Sequence, residues 1–397
     1  MAPRKRIAAI LSTYFPASHA DVVVTKFLKG FPTDDGLLPP EVEIASIYLD
    51  QVSDRDIGTA LAGEFGVPIY LSIPQALCLG GRELAVDGVL SIGEHGDYAY
   101  NEKGQKLYPR RHFFEQIAGV ISTARRPVPV FSDKHLSYCW EDAKWICDRA
   151  HQLGIPLMAG SSIPLFWRDP WLEHEVDSPI TEALVISYGE IEAYGYHGLE
   201  GLQCMVERRQ GGETGVRAVH CLEGAAVWAA LDGSLRELAE AAVARVDCQE
   251  GATGSLEELI EEPALFLVEY ADGLRGALLQ PNSYGGKIHG WSYAARVAGK
   301  VQSTGFHAHG DPYPHFSYLA LNAQSMFLSG VPRYPAERTL LVSGVLDAVM
   351  DSRYRGHLRL ETPHLSVSYR PASQPPIRPL GPRPVNASTV PMHQVAV

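Results

Sequence analysis

The chain has 397 residues, 46% of them hydrophobic and 20% charged, a composition that supports a large core and rules out the disordered and fibrous classes. Thirty-four Lys and Arg against 46 Asp and Glu give a formal charge of −12, which speaks against nucleic acid as a partner because no basic excess is left to neutralise phosphates. Six cysteines (Cys78, Cys139, Cys147, Cys204, Cys221, Cys248) contain no C-x-x-C pair and read as the reduced, buried thiols of a cytosolic enzyme. The apolar run at residues 7–11 behind the basic start is too short for a signal-peptide core, and no stretch approaches the roughly 18 apolar residues of a membrane span. A cytoplasmic protein without a membrane partner is expected, and the length suggests two or three domains.

In residues 1–160 short apolar runs alternate with amphipathic stretches of helical length, the pattern of repeated βαβ units. Strands are predicted at 7–11, 42–48, 67–70, 86–92, 128–131 and 156–159. Helices are predicted at 20–28, 57–65, 110–123 and 140–153, with a helical turn at 75–77 behind Pro74 and an inserted loop at 31–40. The fold class expected is α/β, beginning with a Rossmann-like doubly wound parallel sheet. Residues 161–370 change character: β-rich segments at 183–187, 216–221, 225–228, 264–270 and 274–279 are interrupted by helical stretches at 196–209, 235–246 and 335–351. This predicts an α+β domain with an open, mostly antiparallel sheet. A broad sheet face of that kind is usually buried by self-association, so a homodimer or homotetramer is expected. The Pro-rich tail, 371–397, cannot pack a core and is expected to be disordered.

Ligands of open α/β sheets sit at the carboxyl ends of the strands, so the loops there carry the candidates. After the first strand come Ser12, Thr13, Tyr14, Phe15, Pro16, Ala17, Ser18 and His19, where a dinucleotide-binding fold would place G-x-G-x-x-G; no glycine is present to let the backbone approach a pyrophosphate. Ser12, Thr13 and Ser18 could still add hydroxyl donors to a helix N-terminus. Asp50, at the end of the second strand, is placed to accept from ribose hydroxyls, or is a turn residue. The fourth strand runs into Gly93-Glu94-His95-Gly96-Asp97-Tyr98, where His95 could meet cofactor, metal or substrate, or cap the chain. The fifth ends in Asp133-Lys134-His135, a lysine beside an acid that can pair with it and placed to hold a developing alkoxide. His197 and Glu200 lie one helical turn apart and read as a proton shuttle, two metal ligands or a solvated pair. Residues 305–315 add His307, His309 and His315 without a metal signature, and no G-x-S-x-G elbow supports Ser/His/Asp catalysis.

This order of parts, over roughly residues 5–370, resembles the Gfo/Idh/MocA oxidoreductases. Asp133-Lys134-His135 is similar to the family's Glu-Lys-Pro motif with its outer residues changed. Ala193-Tyr194-Gly195-Tyr196-His197 resembles its Asp-x-Gly-x-His motif with Ala193 for the acid, displaced to Glu192. The late helix from Pro335 is similar to the family's last long helix. The resemblance implies an NAD(P)-dependent oxidoreductase acting on a carbinol of a sugar, polyol or similar small molecule. In it His197 takes the hydroxyl proton, Lys134 stabilises the oxygen and His95 lines the same cleft. Ser12, Thr13, Ser18, His19, Asp50 and Glu94 are the expected cofactor-binding residues, with NAD or NADP as cofactor and no metal ligand assigned. The missing glycines keep an alternative open, a dinucleotide-free hydrolase, lyase or isomerase on the same fold, with a divalent metal drawn from His19, Glu94, His95, His135, His197, His307 and His309.

Overall fold

A computed structural model describes residues 3–231, 233–246, 253–283 and 286–380. The chain opens with β1 (Lys5–Leu11), α1 (His19–Lys29), a hairpin of β2 (Phe31–Thr33) and β3 (Gly36–Leu38), then β4 (Val42–Leu49), α2 (Gly58–Glu64), β5 (Ile69–Tyr70) and α3 (Ile73–Leu77). It continues through β6 (Gly88–Ile92), α4 (Arg110–Ala124), β7 (Val130–Asp133), α5 (Trp140–Leu153) and β8 (Leu157–Gly160). These strands form a six-stranded sheet in the order β5-β4-β1-β6-β7-β8, parallel throughout. In order of appearance this is 3-2-1-4-5-6, the doubly wound dinucleotide-binding arrangement, whose switch point lies between β1 and β6. Strands covered on both faces read as continuous apolar runs, which is why they were visible in the sequence. The β2–β3 hairpin occupies the stretch expected to be an inserted loop.

The second half comprises β9 (Trp167–Asp169), β10 (Ile180–Ile186), α6 (Ile191–Val206), β11 (Val216–Glu223), α7 (Ala225–Ala230), α8 (Gly233–Val243) and α9 (Leu256–Leu259). There follow β12 (Pro263–Tyr270), β13 (Arg275–Pro281), β14 (Trp291–Val297), β15 (Lys300–His307), α10 (Pro314–Ser329), α11 (Ala336–Tyr354) and β16 (Leu360–Glu361). The eight-stranded sheet runs β16-β11-β12-β13-β10-β14-β15-β9, antiparallel except for the β10–β13 pair. The segment at 225–228, expected as a strand, is the helix α7: four alanines in six residues favour the helix, and Gly224 at φ 63 turns the chain into it. Strands β14 and β15 were not anticipated because their two-residue turn, Ala298 (φ 48) and Gly299 (φ 79), carries no Asn or Asp in front of its glycine.

The far face of this sheet is not bare. Leu235, Leu238, Ala239 and Ala242 of α8 and Leu256 and Leu259 of α9 pack over Leu184, Ile186, Leu265, Leu279 and Ala294. The expectation of a homodimer or homotetramer drew on an open face, of which α8 and α9 cover the part over β10, β12, β13 and β14. The two halves are also interleaved. Helix α10, unassigned in the sequence, returns to the first sheet and packs Leu319, Ala323, Met326 and Phe327 against α1 and β1, with Lys5 Nζ donating to the Phe327 carbonyl at 2.9 Å. Helix α11 lies between α5 and α6 within one continuous core. Of the Pro-rich stretch expected to be disordered, residues 371–380 run along the body, Ile377 exchanging two hydrogen bonds with Asn322 at 2.7 and 2.9 Å; residues 381–397, like Cys248, lie outside the described residues.

Gly344 makes the α11 contact possible: a Cβ there would stand 2.4 Å from Leu365 Cδ2 and 2.6 Å from the Trp140 ring. Gly344→Ala should therefore cost about 1–3 kcal/mol by overpacking, measured as a lower urea midpoint with an unchanged slope.

Candidate active site

The loop after β1 closes on itself. Ser12 is fully buried, its hydroxyl donating to the Glu94 carbonyl at 2.5 Å, and Thr13 is buried beside it. Tyr14 turns inward to hydrogen-bond Thr25 at 2.7 Å. Ser18 is the N-cap of α1, its Oγ accepting from the Phe15 and Asp21 amides at 3.1 and 3.3 Å. Asp21 accepts from the Ala17 amide at 2.8 Å. Hydroxyl and carboxylate thus satisfy amides that a glycine-rich loop would present to a phosphate. At the end of β4, Asp50 accepts from Tyr48 OH at 2.8 Å and Tyr98 OH at 2.7 Å. Gln51 exchanges two hydrogen bonds with the Asp97 backbone at 2.8 and 3.1 Å, so Asp97 faces β4.

Across the switch point lies a buried charge cluster. Glu94 accepts from Lys134 Nζ at 2.7 Å and, through its other oxygen, from Arg110 Nη2; all three side chains are buried. Gly93 permits this approach, because a Cβ there would stand 2.9 Å from Arg110 Cγ. Burial alone would raise the Glu94 pKa, but the charges of Lys134 and Arg110 hold it well below the usual carboxylate range. Lys134 itself sits at φ 61, its amide donating to Gly160 O at 3.2 Å, which turns its side chain back toward the sheet end. Arg110 also donates to His135 Nε2 at 2.9 Å. The acid beside Lys134 in sequence does not pair with it: Asp133 accepts from His19 Nδ1 at 2.6 Å.

Three histidines from different elements share one cavity. His19 opens α1, His95 follows β6 at φ 65 and His197 lies in α6. Their rings pack at centroid distances of 5.4 Å (His19–His95) and 6.5 Å (His19–His197). His197 Nδ1 lies 2.6 Å from Ser161 Oγ, in the loop after β8. Burial, then the charges of Lys134 and His19, hold its pKa well below the ordinary imidazole value. Burial and His19 push His95 down to about 4. Glu200 does not pair with His197; it accepts from Tyr196 OH at 3.1 Å and Thr339 at 2.7 Å. Glu192 is pushed up to about 7 by burial and by Glu94; its Oε1 is buried with no hydrogen-bond partner, 3.9 Å from His135 Nε2.

The cavity has a volume of about 420 Å³ and is lined by these three histidines with Ser162, Phe166, Tyr188, Tyr194, Trp291, His309, Tyr313, His315 and Phe316 among others. Arg110, Ser161 and Trp291 were not identified as site residues from the sequence, and Glu192 was read only as the displaced acid of the His197 motif. Arg110 and Trp291 belong to elements, α4 and β14, whose role at the site becomes visible only on folding. Among the described residues no group of three or more His, Cys, Asp or Glu side chains is placed to hold a metal ion, so the divalent-metal alternative has no ligand set there.

No family model and no curated protein matches the sequence. Solved structures do match the fold. The GenD2 structure "from gentamicin A biosynthesis in complex with NAD" aligns with a TM-score of 0.56 at 15% identity over 91% of this chain and 97% of that one. Scyllo-inositol dehydrogenase from Lactobacillus casei gives 0.56 at 10% identity over 90% and 98%. An oxidoreductase from Agrobacterium radiobacter, in complex with NAD⁺, L-tartaric acid and magnesium, gives 0.53 at 14% over 90% and 98%. The chain therefore has the fold of the Gfo/Idh/MocA-type dehydrogenases. No described helix is long and apolar enough to cross a membrane.

Two outcomes follow from this geometry. Glu94→Gln leaves Lys134 and Arg110 buried without a counter-charge and should cost about 3–5 kcal/mol, read from urea denaturation. The buried imidazoles refuse protons that the unfolded chain accepts below a pH of about 6.5. Their contribution to stability is therefore constant above that pH and is lost as it drops toward 4, where His95 itself begins to protonate. Because Glu192 acts in the opposite sense in this range, the check is comparative: calorimetric melting temperatures of the parent chain should fall relative to those of His95→Gln as the pH is lowered from about 6.5 to 4.

Proposed function

We propose that the chain is an oxidoreductase of the Gfo/Idh/MocA family, interconverting a carbinol and a carbonyl on a sugar, polyol or similar hydroxylated metabolite, with NAD or NADP as hydride carrier. The observation that carries this reading is that His197, from the second half of the chain, packs against His19 of the first, whose Nδ1 donates to Asp133 beside Lys134, at the carboxyl end of a 3-2-1-4-5-6 sheet. In the tautomer with Nδ1–H donating to Ser161, His197 presents a bare Nε2 that can take the substrate hydroxyl proton. Its depressed pKa keeps it neutral and ready to accept. Lys134, held by Glu94, supplies positive charge to the same oxygen as it becomes an alkoxide. His95 contacts the substrate from the β6 side of the cavity.

Asp50 fits the adenosine ribose, since its carboxylate already accepts from two hydroxyls, Tyr48 and Tyr98, the donors that a ribose diol would replace like for like. At the phosphate end Ser12 and Thr13 are buried and Ser18 caps its own helix, so the N-terminal dipole of α1 beside His19, rather than a glycine cradle, is what a pyrophosphate would meet. Glu94 acts through Lys134. When bound, a nicotinamide supplies the two-electron acceptor that a carbinol oxidation requires. The remaining assignments belong to the same proposal: a nucleotide-binding unit at 1–160, a substrate unit at 161–370, and a cytoplasmic location in keeping with the free thiols of the described cysteines.

Calorimetric titration with NAD⁺, NADH, NADP⁺ and NADPH tests the reading. One of the four should bind below millimolar concentration, and binding by none overturns it. With a turned-over substrate in hand, Lys134→Ala and His197→Ala should each lower kcat by about 10²–10⁴-fold while melting cooperatively.

A further inference from the structure

The His19–Asp133 pair stands at the cavity with no part in the chemistry above. His19, the first residue of α1, lines the cavity, and its Nδ1 lies 2.6 Å from Oδ2 of Asp133 at the end of β7. Asp133 is buried, and its other oxygen has no hydrogen-bond partner. A carboxylate can only accept, so Nδ1 of His19 carries the hydrogen. Nε2, on the opposite edge of the ring, keeps its lone pair for the cavity. His197 is held differently. Its partner Ser161 Oγ also accepts from the Ile163 amide at 3.1 Å, and a hydroxyl, being neutral, gives no counter-charge to an imidazolium. The two rings stack 6.5 Å apart with planes 23° from parallel and line the same space.

From this asymmetry we propose that His19 is the residue on which the substrate's hydroxyl proton comes to rest, with Asp133 as its positioning residue. The proposal rests on the function above for the identity of the reacting hydroxyl. The substrate O–H bond breaks as an N–H bond forms at His197 Nε2. That proton then passes across one hydroxyl group in the cavity to His19 Nε2, which restores His197 and leaves an imidazolium paired with the Asp133 carboxylate. The surroundings of His19 pull both ways. The N-terminal dipole of α1 and the ammonium of Lys134, next in sequence to Asp133, oppose a charge on the ring, whereas Asp133 and Glu94 favour it. His95, His197 and His315 are held neutral by burial, and a charge on His19 adds to that effect at each of them. One proton therefore suffices for the cluster, and His19 is the ring with a carboxylate to answer it.

The histidine ring nitrogens report this without dinucleotide or substrate, so failure here is distinct from failure of the oxidoreductase reading. The full chain is labelled with ring-¹⁵N histidine. Long-range ¹H–¹⁵N spectra, assigned with His19→Gln and His197→Gln, then give tautomer and protonation state from a pH of about 8 to about 5. His19 should show the Nδ1–H tautomer with a strongly downfield Nδ1 proton. It should also be the first cavity imidazole to become doubly protonated, with His95 and His197 still neutral. Asp133→Asn should remove both the downfield proton and that first uptake; if this variant does not fold, the parent spectra decide alone. An Nε2–H tautomer at His19, protonation of His95 or His197 before it, or an uptake unmoved by Asp133→Asn overturns the proposal. In turnover, His19→Gln should lower kcat by about tenfold or more near neutral pH with KM little changed, and should recover as the pH rises and hydroxide takes the proton instead. No loss, or an equal loss at every pH, which marks a structural role, overturns it as well.

Discussion

Glu94 is the group around which the site is organised. One buried carboxylate at the end of β6 answers two buried cations, Lys134 from the end of β7 and Arg110 from the start of α4. None of the three could be kept at that depth alone: an uncompensated charge in the interior costs several kcal/mol, whereas here each cation is paired with one oxygen of Glu94. Its net charge is positive, so a cationic field remains at the mouth of the sheet after pairing. That field holds the His197 imidazole in its neutral form, together with burial. Burial and the Lys134 charge thus act against protonation of His197, and Glu94 acts in the opposite sense.

Outside the triad, local backbone constraints position the pieces. Lys134 and His95 each occupy a left-handed conformation, at φ 61 and φ 65, which costs free energy for residues with a Cβ and persists only where surrounding contacts demand it. In both, the reversal turns the side chain back toward the carboxyl end of the sheet. The β1 loop follows the opposite strategy. Without glycine it satisfies its amides with Ser18 and Asp21, giving a rigid first turn that presents His19 to Asp133 and to the cavity.

What the sequence discloses follows how local each signal is. Buried parallel strands are continuous apolar runs, and amphipathic helices such as α5 announce themselves by period, so the first sheet and its order were legible. Strands β14 and β15 and helix α10 were not: the first two hang on a turn opened by an alanine in the left-handed region, and α10 is apolar around much of its circumference because it is covered on several sides. At the site, Lys134, His197 and His95 stand at strand and helix ends, where position alone draws attention to them. Their partners do not. Lys134 meets an acid forty residues away rather than its neighbour Asp133, and His197 bonds Ser161 rather than Glu200 one turn along its own helix. In both cases tertiary packing overrode the nearest-neighbour pairing that sequence spacing suggests.

The same separation of layers bears on what the site can hold. The charged triad is absent from the lining of the cavity, which is walled by aromatic and imidazole rings, those of His95, His197 and His315 kept neutral by burial. Electrostatic stabilisation of a developing alkoxide is strongest where water and competing counter-ions are absent. Aromatic lining and imidazoles that burial keeps neutral therefore leave the space beside His197, among the described residues, without a carboxylate, ammonium or guanidinium of its own, and the paired charges of Glu94, Lys134 and Arg110 stay outside that lining.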